Sequence, residues 1–266
     1  MINVLSLFDG MSCGRIALDK LDIPCQYYAS EIDKYSIKVS QANYPDTIQL
    51  GDVTQVYWKN KTKIDLLIGG SPCQGFSFAG KHLNFQDDRS KLFFEYVRLL
   101  NEVKPKYFLL ENVRMKKESE DIISQYLGVS PIAINSSNLS AQNRQRLYWT
   151  NIPVSQPEDK GIKLKDILED GLVDRDKSHC LDANYWKGGN LKSYFEKHRR
   201  QLVFETDPSV VAADLKWRKL SPIECERLQT VPDNYTNHVS NTQRYKMLGN
   251  GMTVDVITHI LKGMKL

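Results

Sequence analysis

Cysteine is scarce in this 266-residue chain and badly spaced for a structural role. The five cysteines (Cys13, Cys25, Cys73, Cys180 and Cys225) are odd in number and form no Cys-x-x-Cys pair, and the five histidines are dispersed. A zinc site or a disulfide framework is therefore disfavoured, and reduced thiols in a cytosol are expected. No apolar run approaches the ~18 residues of a membrane span. The opening Met1-Ile2-Asn3-Val4-Leu5 lacks the basic stretch and cleavage site of a signal peptide. The expectation is a cytoplasmic protein with neither membrane nor metal. Charge of one sign is also missing: a net charge of +4 permits a polyanionic partner without arguing for one. Two nucleotide signatures are absent. No Gly-x-Gly-x-x-Gly follows the first strand, which disfavours a dinucleotide dehydrogenase, and no Gly-x-x-x-x-Gly-Lys occurs, which excludes a P-loop.

What is present is alternation. Short apolar runs at 3–8, 26–29, 47–50, 64–68 and 107–110 read as strands. Between them, 14–20, 34–43, 90–102 and 118–127 carry helical spacing, as in Leu92-Phe93-x-x-Tyr96-Val97-x-x-Leu100. Regular strand–helix alternation predicts an α/β fold with a doubly wound, mostly parallel sheet. Periodicity fades from 156 to 216, where Lys187, Lys192, Lys197, Arg199 and Arg200 crowd together, opposed only by Glu196. Helical signals return at Ser221-Pro222-Ile223-Glu224, a capping box with proline at the first helical position, which predicts helix 223–229. A last helix is expected at 254–262. The chain thus divides into 1–155, a small irregular region 156–216, and a C-terminal segment 217–266 that packs back on the first part.

In an open α/β sheet, ligands gather at the carboxyl ends of the strands. The first strand runs into Phe8-Asp9-Gly10-Met11-Ser12-Cys13-Gly14, a glycine turn opening a helix. The second ends at Glu31, suited to ribose hydroxyls, and the third at Asp52, suited to an adenine amino group. Any one of these is more often a cap or a packing turn, but three successive strand ends favour a nucleoside pocket. The fourth strand leads to Ser71-Pro72-Cys73-Gln74-Gly75-Phe76; a lone cysteine is most often a small buried hydrophobe. The fifth ends in Glu111-Asn112-Val113, where desolvation would raise the carboxyl pKa toward proton donation. Gln142-Asn143-Arg144-Gln145-Arg146 carries two arginines that share a side if the segment is extended, and paired arginines hold phosphate or developing negative charge.

In this order the motifs resemble the C5-cytosine DNA methyltransferases: Phe8-Asp9-Gly10, Pro72-Cys73-Gln74, Glu111-Asn112-Val113, Gln142-x-Arg144-x-Arg146, Arg218-x-Leu220…Glu224-x-x-Arg227-Leu228-Gln229, and Gly249-Asn250. The likeness covers roughly 1–155 and 217–266. The first motif is similar to that of the animal de novo branch and its phage and bacterial relatives. Ile32 stands where a tryptophan is common, and Gly251 where serine or alanine is usual.

The resemblance implies a Rossmann-like, S-adenosylmethionine-dependent methyltransferase that releases S-adenosylhomocysteine. It makes Cys73 the nucleophile, Glu111 the acid toward the ring, and Arg146, with Arg144, the holder of the base carbonyl and of Glu111. Cofactor contacts fall on Phe8, Asp9, Gly10, Met11, Cys13, Gly14, Glu31, Ile32, Asp52, Val53, Gly70, Pro72, Leu92, Asn250, Gly251 and Met252. DNA contacts fall on Gln74, Ser77, Arg89, Lys187, Arg199 and Arg200, with loop 75–91 closing behind a base flipped from duplex DNA. The region 156–216 becomes a short target-recognition region, and a cognate restriction endonuclease an implied partner. Two alternatives stay open: a catalytically idle relative, and an RNA methyltransferase using the same motifs. Oligomeric state is not legible.

Overall fold

The computed structural model describes residues 1–59, 62–71, 88–208 and 215–265, without the side chains of 88–90. The described chain forms two compact units.

The first unit contains residues 1–134, 145–155 and the chain's end from 258. Its strands are β1 (Ile2–Leu7), β2 (Cys25–Ser30), β3 (Ile48–Gln49), β4 (Leu66–Gly69), β5 (Tyr107–Val113), β6 (Ile132–Asn135) and β7 (Gln145–Thr150). They form one sheet in the order β3-β2-β1-β4-β5-β7-β6. The β2–β1, β1–β4, β4–β5 and β2–β3 pairs are parallel. Parallel neighbours need crossovers, and the helices α1 (Cys13–Asp19), α2 (Lys34–Asn43), α3 (Asp88–Val103) and α4 (Lys117–Leu127) follow the strands in the chain. Leu5, Leu7, Leu67 and Leu110 of the sheet share a core with Phe93, Tyr96, Val97 and Leu99 of α3. The strand order reverses between β1 and β4, so their carboxyl ends flank the crevice in which such sheets bind ligands.

Two strands of this sheet, β6 and β7, have no counterpart among the five expected from the sequence. β7 runs antiparallel to β5, with Glu111 opposite Tyr148 and Val113 opposite Arg146. Its Leu147, Tyr148 and Trp149 are all buried. A strand covered on both faces shows no alternation, so it gives no period-two signal. The expected third strand, 47–50, shrinks to two residues at the sheet edge.

The second unit contains residues 135–144 and 156–257. It holds α5 (Leu191–Lys197), the antiparallel pair β8 (Leu202–Phe204) and β9 (Trp217–Lys219), α6 (Pro222–Leu228), α7 (Asn241–Asn250) and the start of α8 (Val254–Leu261). The capping box on α6 is present: Ser221 Oγ accepts from the Glu224 amide, and Glu224 accepts from the Ser221 amide. Of the C-terminal segment 217–266, residues from 258 belong to the first unit and 217–257 to the second. Buried polar contacts hold 217–224 within the second unit. Tyr185 Oη donates to the Gln201 carbonyl at 2.5 Å and accepts from the Leu220 amide at 2.8 Å. Arg218 Nη2 reaches the fully buried Glu224 at 2.8 Å and so ties β9 to α6. Among the described residues no helix is long and apolar enough to cross a membrane.

Candidate active site

The turn after β1 is left-handed at every second residue, with φ of 56° at Phe8, 59° at Gly10 and 64° at Ser12. Such φ values favour glycine, and a Cβ at Gly10 would meet nothing within 4 Å. The Gly10 amide donates to Glu31 Oε2 at 2.7 Å, while Glu31 Oε1 accepts from the Ile32 and Asp33 amides at 2.8 Å each. The carboxylate at the end of β2 thus clasps the turn at the end of β1. Three of its roughly four lone-pair sites are taken, and Oε2 keeps capacity for a hydroxyl donor. Beside it Ile32 is 74 % exposed, an apolar surface suited to a flat ring. Asp52, after β3, uses Oδ1 to cap the following 3-10 turn through the Thr54 amide and hydroxyl, both at 2.9 Å. Open space at Gly10, hydroxyl acceptors and an exposed apolar side chain fit a nucleoside such as that of S-adenosylmethionine.

Asp9, expected at the ligand, faces the interior. Its Oδ1 accepts from Tyr27 Oη at 2.8 Å and its Oδ2 from Ser12 Oγ at 2.5 Å, and Ser12 Oγ lies 2.6 Å from Ser40 Oγ. Burial pushes the Asp9 carboxyl up from 3.8 to about 6. A carboxyl raised on folding favours the native state below its unfolded pKa, and that contribution is lost as pH rises through about 6. The difference corresponds to roughly 3 kcal/mol. Asp9→Asn is therefore expected to flatten part of the pH dependence of stability. Urea melts at pH 4.5 and 7.5 check this: the wild type should lose ground to the variant at the higher pH, and an equal gap at both pH values would refute it.

Met11 and Cys13 bury their side chains, as does Val53. Leu92 is half-buried against the α3 side of the core. At the end of β4, Gly70 is half-buried and Ser71 buried. Pro72, Cys73, Gln74 and Ser77 lie outside the described residues, and so does the side chain of Arg89.

The adjacent strand β5 brings two motif residues to the same sheet end. Asn112 is 2 % exposed and donates through Nδ2 to the Ser71 carbonyl at 3.2 Å and to Ser71 Oγ at 3.4 Å. Glu111 Oε1 stands 3.0 Å from Arg146 Nε, with side chains only 12 % and 14 % exposed. The register explains the pair. Arg146 sits opposite Val113 and hence diagonal to Glu111, on the same face of the sheet.

The pairing expected between the two arginines of Gln142-x-Arg144-x-Arg146 does not form. Arg146 serves Glu111, whereas Arg144 is 3 % exposed and donates to main-chain carbonyls of the second unit. In that unit Asn250 closes α7 exposed, followed by half-buried Gly251 and Met252. Trp186, 40 % exposed, sits in a 3-10 turn with Lys187, whose ammonium lies 5.4 Å from the indole centre. Arg199 is exposed beside Asp182 at 3.4 Å, and Arg200 donates to the Gly188 carbonyl at 2.7 Å. Sequence reasoning missed Tyr27 and Ser40 beneath the first turn, and Gln229 beneath the last. Only the place of Gln229 within a shared motif signalled a role.

Solved structures share this architecture. A putative DNA modification methyltransferase from an E. coli prophage matches with a TM-score of 0.70 at 22 % identity, covering 99 % of this chain and 98 % of that one. A mutant of Spodoptera frugiperda DNMT2 matches at 0.74 and 20 % identity, covering 99 % of each chain. The fold is that of the Rossmann-like, S-adenosylmethionine-dependent methyltransferases. Within that class the chain belongs to the C-5 cytosine-specific DNA methylase family, whose model matches residues 2–159 and 158–266. Among its relatives, the type II methyltransferase M.NlaX of Neisseria lactamica is 29 % identical, covering 100 % of this chain and 96 % of the relative. M.HhaI of Haemophilus parahaemolyticus is 27 % identical, covering 97 % and 93 %. The chain is accordingly a DNA cytosine-5 methyltransferase that uses S-adenosylmethionine.

Proposed function

We propose that this chain acts as a modification methyltransferase on a cytosine flipped out of duplex DNA, with Cys73 attacking C6, Glu111 serving the ring and Arg146 holding Glu111 in place. The observation that carries this reading is the Glu111–Arg146 pair at 3.0 Å, on the strand that neighbours β4. Two residues beyond the last described position of the β4 turn, the sequence has Cys73.

Cytosine C5 is too weak a nucleophile to take a methyl group unaided. Addition of the Cys73 thiolate to C6 moves the C5–C6 π pair toward C5, and a proton or hydrogen bond from Glu111 at N3 takes up the charge. S-adenosylmethionine supplies an electrophilic methyl group on a sulfonium centre. After loss of the C5 proton, the Cys73–C6 bond breaks, the ring double bond returns and 5-methylcytosine leaves. Arg146, fixed by Glu111 and by its own Nη1 bond to the Gln145 carbonyl at 2.8 Å, keeps the carboxyl oriented. The exposed Trp186 and Lys187 turn and Arg199 support contact with the DNA groove and phosphates. A recognition region this short supports few base contacts and a short site. The type II names of the relatives favour a paired restriction endonuclease.

Transfer of tritiated methyl from S-adenosylmethionine to DNA tests the proposal. Wild type should label duplex DNA in preference to tRNA, and Cys73→Ala should label neither. Equal activity of wild type and Cys73→Ala would end the covalent reading, and preference for tRNA would move the substrate to RNA.

A further inference from the structure

Arg144 belongs to a motif whose second arginine meets the reacting carboxylate, yet its own surroundings are of another kind. Its guanidinium is buried and its hydrogen-bond acceptors are three carbonyls and a thiol: Leu181 O at 2.9 Å, Gly249 O at 3.2 Å, Gly251 O at 2.8 Å and Cys180 Sγ at 3.4 Å. Gln229, fully buried, approaches the same turn through Nε2, 2.6 Å from Leu248 O and 3.1 Å from Gly251 O. Its Oε1 is itself held by Gln142 Nε2 at 2.9 Å and Thr253 Oγ1 at 2.8 Å. Gly249 sits so close to the preceding segment that a Cβ would stand 2.3 Å from the Asp182 carbonyl. Every carbonyl on either side of Asn250 that these side chains reach is thus pinned from below, while Asn250 remains exposed.

We infer that Arg144 is a positioning residue that sets the Gly249-Asn250-Gly251 turn, and with it cofactor affinity, and takes no part in bond-making at cytosine. The inference rests on the reading that Asn250–Met252 touch the cofactor. The two terminal nitrogens of the planar guanidinium supply the four donors that the three carbonyls and the thiol take up, while Nε is buried without a hydrogen-bond partner among the described residues. Lysine keeps the charge but cannot reproduce that geometry.

The full chain is tested by calorimetric titration with S-adenosylhomocysteine, alongside kcat and KM for methyl transfer. Arg144→Lys is expected to raise the cofactor Kd and KM about 10- to 100-fold, with kcat at saturating cofactor within about threefold of wild type. A large fall in kcat with unchanged Kd would place Arg144 at the cytosine and overturn the inference, and so would no change in either. Should Arg144→Lys not fold, Gln229→Met decides, since it removes the donor to Leu248 and Gly251 at nearly constant volume and adds no buried charge. A raised Kd supports the inference and an unchanged one overturns it. Asn250→Ala separates the two layers. If it leaves Kd unchanged, the cofactor role of the turn fails and the inference falls with it. If it weakens binding while Arg144→Lys does not, the positioning role alone is refuted.

Discussion

Glu111→Gln is expected to lower kcat about 10²- to 10⁴-fold, the usual loss for a general acid, with DNA and cofactor binding little changed. Glutamine preserves the size of the side chain and can still accept from Arg146 Nε, which now stands 3.0 Å from the carboxylate. What it cannot do is release a proton to the ring. Arg146→Ala should cost kcat a similar factor by a different route, because it frees the Glu111 carboxylate to turn. It should also destabilise the fold by roughly 3 kcal/mol, since it leaves a largely buried charge unpaired. The double variant should be little worse than the more damaged single one, because the two groups act as a unit. Single-turnover methyl transfer and thermal melts check this. A Glu111→Gln enzyme within threefold of wild type, or strictly additive losses, would sink the assignment.

The second large effect is expected at Asn112. Its Nδ2 donates to Ser71, and its Oδ1 accepts from the Val113 amide at 2.8 Å. It therefore braces the end of β4, two residues ahead of Cys73, the proposed nucleophile. Asn112→Leu, at nearly constant volume, removes both the donor to Ser71 and the acceptor of the Val113 amide, at a cost of about 1–3 kcal/mol for each buried group left unpaired. A nucleophile displaced by about 1 Å loses on the order of 10²-fold in rate. The expected result is a kcat lowered by about 10- to 100-fold with unchanged KM for DNA and cofactor. Asn112→Asp, isosteric but without the donor, should behave alike. A lowered melting temperature with intact kcat would make Asn112 a purely structural residue.

Local signals carried much of the fold. The strand–helix alternation of the first 110 residues was legible because parallel strands buried on both faces read as apolar runs and the crossover helices as amphipathic stretches. The Ser221 capping box was legible because its partners are three residues apart. The acids after β2 and β3 and the acid near the end of β5 were legible because strand ends are local events. β7 was not, since nothing nearby says that 145–150 returns antiparallel beside β5. Asp9 read as a ligand contact because the turn is local, but Tyr27 and Ser12 hold its carboxyl inward, with Ser40 behind Ser12, and Tyr27 and Ser40 come from other elements.

The sequence by itself determined the chemistry on offer: a thiol after the fourth strand, a carboxylate near the end of the fifth, and a glycine turn with acids for a nucleoside. Each depends on which residues terminate a strand, and the chain order settles that. Only the tertiary structure decided which arginine serves which partner. Arg144 and Arg146 are two residues apart and look equivalent on paper. Register against β5 gives Arg146 a carboxylate, whereas burial among the carbonyls of Leu181, Gly249 and Gly251 makes Arg144 a brace. The reason is that a guanidinium's role is set by the acceptors that folding brings to it, and here those acceptors lie 35 to more than 100 residues away in the chain.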